Sequence, residues 1–571
     1  MMRLIAGMLL FSTLCLSVQA QVFNGTNQPF KYTVTKKMVT NKGAVVSAHP
    51  LASEAGLLIL KKGGNAIDAA IATQLALAVV YPNAGNIGGG GFLVAQLVSG
   101  ECVSLDYREM APSLAHRDMY IDSKGVASTE KSQNGHLASG VPGTVAGLFA
   151  SHRYAKLPFA KLIEPAIELA EKGFVITESE ARSLNYLQND LKKYNTVLPA
   201  FYRTTPWKAG DTLIQSDLAA TLKRIQRSGK AGFYGGETAK LIEAEMKRGN
   251  GLITQKDLAA YEAKWRTPHE FDYKGYRVVS MPMPSSGGLL LHQMMKMVET
   301  RNLGAMGFQT PTSVQLMTEV MRRAYADRSK FMGDADFYPV PVSKLTDPEY
   351  LKMRMSSYRT DAPTPSSQLE PGNVNYHESE ETTHLSVMDA EGNAVAVTTT
   401  LNGSYGSKTV VGGAGFFLNN EMDDFSIKPG VPNMFGAIGG EANAIHPGKR
   451  MLSSMTPTLV LKNNKPYIVV GTPGGTTIPT QVFQALMNIL EFGMDADDAI
   501  NKPKFHHQWL PDELVTEKGF NAATLEALRA MGYPIGKERG GIGRTEIILV
   551  RPDGKKEAVA DRRGDDGVAG Y

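Results

Sequence analysis

From residue 382 the chain reads TTHLSVMDAEGNAVAVTTTLN, with apolar and polar positions alternating on both sides of AEGN. That period of two is the mark of two strands joined by a tight turn. TPTLVLK and YIVVG flank NNKP in the same manner, and TEIILVR and EAVADR flank PDGK. The C-terminal third is therefore expected to be hairpin-rich, with one apolar helix from about Pro479 to Phe492, stopped by Gly493. Upstream the period lengthens. AKLIEPAIELAEKGF, SDLAATLKRIQRSGKAGF, TAKLIEAEMKRGN and TSVQLMTEVMRRAYADRSKF carry apolar residues three and four apart, so residues 140–340 read as mostly helical, interrupted by a strand at YRVVSMPMP. Nearer the start the order is strand (AVVS), helix, a stop at Gly63-Gly64, a second helix Ala66–Val80, a glycine loop and a strand. The second helix is apolar nearly all round and should be buried. DAPTPSSQLEPGNVNYHESE, residues 361–380, lacks periodicity and reads as an exposed linker. Helices, a linker and then strands predict an α+β fold, a sheet packed between helical layers.

The first residues, MMRLIAGMLLFSTLCLSVQAQVFN, carry one early Arg, a short apolar run and the small-x-small site Val18-Gln19-Ala20. Residues 1–20 are expected to be a secretory signal, removed on export to the periplasm or beyond and leaving no membrane anchor. Cys15 leaves with it. Cys102, inside the strand-like GECVSLDY, then remains as the single thiol, expected to pack in the interior, and no internal disulfide can form. A net charge of +4 on 571 residues, without basic blocks, gives no footprint for nucleic acid.

Most candidate chemistries fall away. GNIGGGG at 85–91 precedes a strand and lacks the Lys-Ser/Thr of a phosphate loop, so close backbone packing is expected there. No HExxH or G-x-S-x-G occurs, His506-His507 are adjacent, and STEK at 128–131 is too short a match to weigh; neither metal nor cofactor is expected. What stands out is Thr382, where the linker meets the hairpin. If the bond Glu381–Thr382 is cut, the new α-amine can serve as the base for the hydroxyl of the same residue. From spacing alone, ordinary strand threonines are the stronger account, because Thr is β-branched and favours strands.

These stretches, together with LNNEMDDFS, KRMLSSMTPTLV, GTPGGTTIPTQVFQ, GGNAIDAAIA, NAGNIGGGGF and LDYREMAPSLAHRDMY, resemble the bacterial γ-glutamyltranspeptidases, or glutathione hydrolases, from about residue 36 to the C-terminus. The resemblance implies an N-terminal-nucleophile hydrolase, a four-layer αββα sandwich without a cofactor. It also implies one precursor that cuts itself between Glu381 and Thr382. A large subunit (21–381, helix-rich) and a small subunit (382–571, sheet-rich) then stay associated. By the same resemblance Thr382 attacks the γ-glutamyl amide of glutathione or a related compound, and the acyl group passes to water or to an amino-acid or dipeptide amine. Thr400 positions the Thr382 amine. Arg108, Ser453 and Ser454 bind the α-carboxylate, while Asn402, Glu421 and Asp424 hold the α-ammonium. Each of these roles is chemically suited to a zwitterion. Backbone N–H groups of Gly474 and Gly475 stabilise the oxyanion.

The Gly/Pro-rich stretch from Pro429 to Arg450 resembles a lid, with Phe435 where some bacterial members carry Tyr; a lid that gates less tightly is expected. Three alternatives remain open. A glutaryl or β-lactam acylase handles substrates without the α-ammonium, a poly-γ-glutamate hydrolase would find the lid in the way, and an inactive exported amino-acid binder would not need Thr382.

Overall fold

The computed structural model describes Phe23, residues 29–369 and residues 382–571. The expected signal and its Cys15, the second half of the expected linker and Glu381 lie outside these residues.

Two seven-stranded antiparallel sheets form the centre. In chain order the strands are β1 (Lys37–Thr40), β2 (Ala44–Ser47), β3 (Gly90–Gln96), β4 (Cys102–Tyr107), β5 (Phe174–Val175), β6 (Thr212–Leu213), β7 (Lys264–Arg266), β8 (His269–Tyr273) and β9 (Tyr276–Ser280). Beyond the undescribed segment come β10 (Thr383–Met388), β11 (Ala394–Thr400), β12 (Thr458–Lys462), β13 (Lys465–Gly471), β14 (Phe505–His506), β15 (Val515–Thr516), β16 (Glu546–Val550), β17 (Lys556–Ala560) and β18 (Gly567–Gly570). One sheet runs β18-β2-β10-β11-β3-β4-β7 and the other β1-β17-β16-β13-β12-β9-β8; β5/β6 and β14/β15 are separate two-stranded ladders.

Alternation along the strands builds three layers of core. Val45, Leu93, Val395 and Val397 face an outer helical layer that includes Ala66–Val80, every residue of which is buried. Val46, Phe92, Val94, Leu459, Val469 and Ile548 meet between the sheets. Val460, Ile468, Val470 and Ile547 face a second helical layer that includes Gly287–Glu299, Pro311–Phe331 and Ile478–Leu490. This is the αββα sandwich. The three C-terminal hairpins, the strand at Tyr276–Ser280 and the buried helix all stand where the pattern put them.

The region after residue 382 is strand-rich as expected, but β1–β4 and β7–β9 supply half of the two sheets, and β10, which follows Thr382, lies between β2 and β11. One expectation needs correction. The segment 361–380 is not loose where it is described. Ser366 Oγ donates to the Trp509 carbonyl at 2.6 Å and the Trp509 indole returns a bond to Ser366 O at 3.0 Å. Thr364 and Ser366 are buried, and Arg323 Nη2 donates to Thr364 Oγ1 at 2.9 Å. The Pro/Ser composition that reads as solvated chain is here a fitted surface strap. Among the described residues no helix is long and apolar enough to cross a membrane.

Candidate active site

The threonine clusters separate by strand alternation. Thr383 pairs with Thr399 in the antiparallel register, so one step further Thr382 comes opposite Thr400. Thr399 turns to the helical side, where its Oγ1 donates to Gly90 O (2.8 Å) and accepts from Asn86 Nδ2 (3.2 Å). Thr398 and His384 turn inward, His384 Nδ1 lying 2.9 Å from Thr398 Oγ1 and Nε2 3.1 Å from Ser386 Oγ. The His384 ring fills the gap to the other sheet: a Cβ on Gly471 would sit 2.3 Å from it. Burial holds its pKa down to about 3, so the imidazole is neutral. Thr382 and Thr400 share that inner side and line one cavity. Asn402, in the left-handed region (φ 76°) that Asn tolerates, donates its backbone N–H to Thr400 Oγ1 at 2.7 Å. With a lone pair so occupied, the Thr400 hydroxyl is oriented by its own backbone turn.

The glycine run does what close packing requires. A Cβ on Gly89 would meet Thr400 O at 2.1 Å, and one on Gly88 would meet Phe417 O at 2.0 Å. Cys102 opens β4 and is partly buried; burial raises its thiol pKa to about 11.

The cavity is small, about 20 Å³, and is walled by Arg108, Thr382, Thr400, Asn402, Asp424, Phe435, Ser453, Ser454 and Gly475. It is about the size of one water. Of the residues expected from the sequence, Gly474 faces the neighbouring groove instead, and Glu421 stands behind Arg108. Arg108 follows β4, its backbone N–H bonded to Asp106 Oδ1 (3.0 Å) and its carbonyl to the Tyr261 hydroxyl (2.7 Å). Its guanidinium meets Glu421 at 2.7 Å, Glu109 at 3.6 Å and, more closely than either, Asp424. Burial opposes its charge, but the Glu421 and Asp424 carboxylates outweigh that and raise its pKa.

One cation cannot neutralise three buried carboxyls. Burial raises Asp424 from its ordinary value, Glu421 well above it and Glu109 to about 8, and repulsion from neighbouring carboxylates adds to the rise of Glu421 and Glu109. The Glu421 carboxylate pairs with Arg108 Nη1 at 2.7 Å and lies beside Asp424. The carboxyls of this cluster outnumber its cations, an excess that an α-ammonium would reduce.

Sequence reasoning missed several contributors. Arg328, within a helix read only as amphipathic, is buried and spans the two sides of the site, donating to Ser286 Oγ and Ser454 Oγ at 3.0 Å each. A charged residue on the buried face of that periodicity was the available signal. Ser453 Oγ accepts from Met455 N at 3.1 Å. In the loop over the cavity, Asn433 Nδ2 donates to Asp424 Oδ1 (2.9 Å) and Met434 N–H to Asp423 Oδ2 (2.7 Å). Burial raises Asp423 to about 7. The Phe435 ring lies on Gly475, where a Cβ would be 2.4 Å from it, and its carbonyl accepts from Gln508 at 3.3 Å. Gly474 (φ 133°) and Gly475 (φ 52°) form the turn after β13 that opens the helix Ile478–Leu490, the positive end of its dipole directed at the cavity.

Thr382 and Gly474 also line a second, open groove of about 340 Å³. The candidate nucleophile thus stands on a wall between a small cavity and a roomier one.

Comparison with known proteins gives consistent findings. A family model described as Gamma-glutamyltranspeptidase matches residues 52–571. The Glutathione hydrolase proenzyme of Escherichia coli (strain K12) is 46% identical over 541 residues, covering 93% of this chain and 92% of that one. Among solved structures, cephalosporin acylase from Bacillus halodurans superposes with a TM-score of 0.82 at 28% identity over 96% of this chain and 99% of that one. Helicobacter pylori gamma-Glutamyltranspeptidase gives 0.56 at 45% identity, covering 61% of this chain and 98% of that one.

Proposed function

The chain belongs to the gamma-glutamyltranspeptidase family, and from that premise we propose which of its residues do the work. It is a γ-glutamyltransferase and glutathione hydrolase made as a self-processing proenzyme. In the proposed processing step Thr382 Oγ attacks the carbonyl of Glu381. The peptide C–N bond breaks as the ester forms, the proton passes to the departing nitrogen, and water hydrolyses the ester. The nitrogen of Thr382 is an amide before that cut and an amine after it, and only the amine can take a proton from Oγ. In turnover Oγ attacks the γ-carbonyl of glutathione or another γ-glutamyl compound, the oxyanion lies against the Gly474-Gly475 turn, and the amine half leaves. Water or an amino-acid or dipeptide amine then receives the acyl group.

The observation that carries this reading is the register that sets Thr382 opposite Thr400 on the rim of a cavity holding Arg108 and Asp424. Arg108 with Ser453 and Ser454 takes the α-carboxylate; Asp424, Glu421 and Asn402 take the α-ammonium. The cephalosporin acylase neighbour prompts a comparison. A buried carboxyl group in excess of its cations favours a substrate bearing an ammonium, and so a γ-glutamyl donor over an acyl chain without one. Residues 1–20 are proposed as an export signal, with the product periplasmic or secreted as a heterodimer of 21–381 and 382–571.

N-terminal sequencing of the purified protein tests it. A fragment beginning Thr-Thr-His-Leu-Ser is expected, and Thr382→Ala should remain one chain without γ-glutamyl-anilide hydrolysis. A wild-type chain that stays intact at neutral pH refutes the reading.

A further inference from the structure

We propose that Arg328 is a positioning residue for substrate binding, holding the Ser453 and Ser454 hydroxyls with their hydrogens turned into the cavity. The α-carboxylate of the donor is then read by two cations, Arg108 directly and Arg328 through the serines. The inference rests on the function just stated and deepens its binding step.

Arg328 belongs to the helix Pro311–Phe331. Met317, Val320, Met321, Ala324 and Tyr325 form the buried stripe of that helix, and Arg328 continues the stripe to the wall of the cavity. A guanidinium taken out of water costs free energy unless an anion offsets it. Among the described residues Arg328 makes no ion pair, and the carboxylate that acts on it, Asp424, is already bonded to Arg108. Its fork goes to two hydroxyls instead, Nε to Ser286 Oγ and Nη2 to Ser454 Oγ, each at 3.0 Å. A buried cation bonded to neutral groups keeps its charge for an anion that arrives later.

The direction of each bond follows from the donor. A guanidinium gives hydrogens and accepts none. Ser454 Oγ therefore receives a hydrogen from Arg328 and must give its own elsewhere. Ser453 Oγ likewise receives one, from Met455 N–H at 3.1 Å. Among the described residues neither hydroxyl has an acceptor for its own hydrogen, and both serines line the cavity. Two O–H groups on adjacent residues, each backed by an N–H, suit the two oxygens of one carboxylate.

Arg328 also reaches Ser453, through Ser286. Ser286 Oγ accepts from Arg328 Nε and donates to Ser453 O at 2.7 Å, and Ser286 N–H donates to the same carbonyl at 2.8 Å. Ser453 N–H in turn donates to Pro284 O at 2.9 Å. The backbone carrying the two hydroxyls is thus clamped from the Arg328 side. Donation to a hydroxyl lone pair strengthens that hydroxyl as a donor, so the charge of Arg328 is felt one bond further on.

The test uses two donors, a γ-glutamyl anilide and the same compound with its α-carboxylate converted to the carboxamide, and reads kcat/KM for each. Wild type should prefer the carboxylate by about 100-fold or more, at about ten-fold for each charge-assisted contact. Arg328→Met should lower that preference about ten-fold, mainly through KM, because the contact is made equally in the ground state and the transition state. Ser454→Ala should lower it similarly, and Arg328→Met should cost less in the Ser454→Ala background than alone, since one side chain acts through the other. Arg328→Lys, which keeps the charge without the fork, should retain part of the preference. Equal losses on both donors mark Arg328 as scaffold and overturn the assignment, as do losses that simply multiply in the double variant. If the Met variant fails to fold, the Lys variant decides: a wild-type preference in it refutes the assignment and a lowered one supports it. Wild type that cleaves neither donor overturns the proposed function and this inference with it. Wild-type preference that survives Arg328→Met overturns the inference alone.

Discussion

Gly475→Ala isolates the contact between the Gly474-Gly475 turn, proposed above to face the oxyanion, and the loop above it. The added Cβ would stand 2.4 Å from Phe435 Cδ1, 2.8 Å from Cε1 and 3.0 Å from Cγ, so the ring must retreat by about 1 Å to reach ordinary contact. The residue's φ of 52° adds the left-handed penalty, about 1–2 kcal/mol for a residue with a Cβ. Overpacking in a dense site costs about 1–3 kcal/mol more. A stability loss of roughly 2–5 kcal/mol is therefore expected in urea unfolding. Relaxing the turn also misdirects its N–H, and loss of one oxyanion donor costs about 10²–10³ in kcat. Single-turnover release from a γ-glutamyl anilide should slow accordingly, and self-cleavage followed on a gel should slow with it, since both use the same carbonyl geometry. The double variant Gly475→Ala/Phe435→Ala separates the two effects. Removing the ring should return the overpacking part of the stability and leave the rate low. A Gly475→Ala protein with wild-type stability and wild-type rates would mean that neither the ring contact nor the turn matters.

Asp423 should link the loop to pH. Its carboxylate accepts from Met434 N–H, and its pKa lies near 7, so protonation below neutrality weakens a charge-assisted bond. Hydrogen exchange of residues 430–438, corrected for intrinsic rate, should be slower at pH 8 than at pH 6 in wild type but not in Asp423→Asn; a difference that survives the substitution refutes this. Glu109 should appear in stability. Burial raises its folded pKa to about 8 against 4.5 as the ordinary value, so between those limits the folded state holds a proton that the unfolded state has lost. Stability from this group falls as pH rises through that window, and the melting temperature of Glu109→Gln should decline less from pH 5 to pH 8 than that of wild type; parallel declines count against it. Phe435→Tyr should shift the balance between hydrolysis and transfer, read from the product ratio at fixed glycylglycine, by adding a hydroxyl to the ring over the cavity. An unchanged ratio removes Phe435 from the gating of water.

Most strands and the buried helix were legible because period two and an all-apolar helical run leave few alternatives. The proposed nucleophile was legible only in part. Spacing found Thr382 but could not separate it from Thr383 or Thr399, because one face or the other is chosen by register with β2, β3 and β11, which are distant in sequence. Arg328 was hidden for a related reason: a helical period marks a buried face but does not say that an arginine on it meets Ser454 across the fold. The strap at 364–366 misled because its composition is that of solvated chain, while its order comes from Trp509 and Arg323, which no local window contains.

If the chain is cut before Thr382, as proposed, the interleaving of strands ties the two pieces together. β10 sits between β2 from one piece and β11 from its own, and β9 from the first piece caps β12 from the second. Neither piece then carries a complete sheet, so the two cannot part without exposing the core between them. Refolding after denaturation becomes a second-order encounter of two incomplete chains where the uncut precursor needed only itself. The mature protein would endure by the slowness of its unfolding, and its lifetime, measured as a rate, would be the quantity under selection.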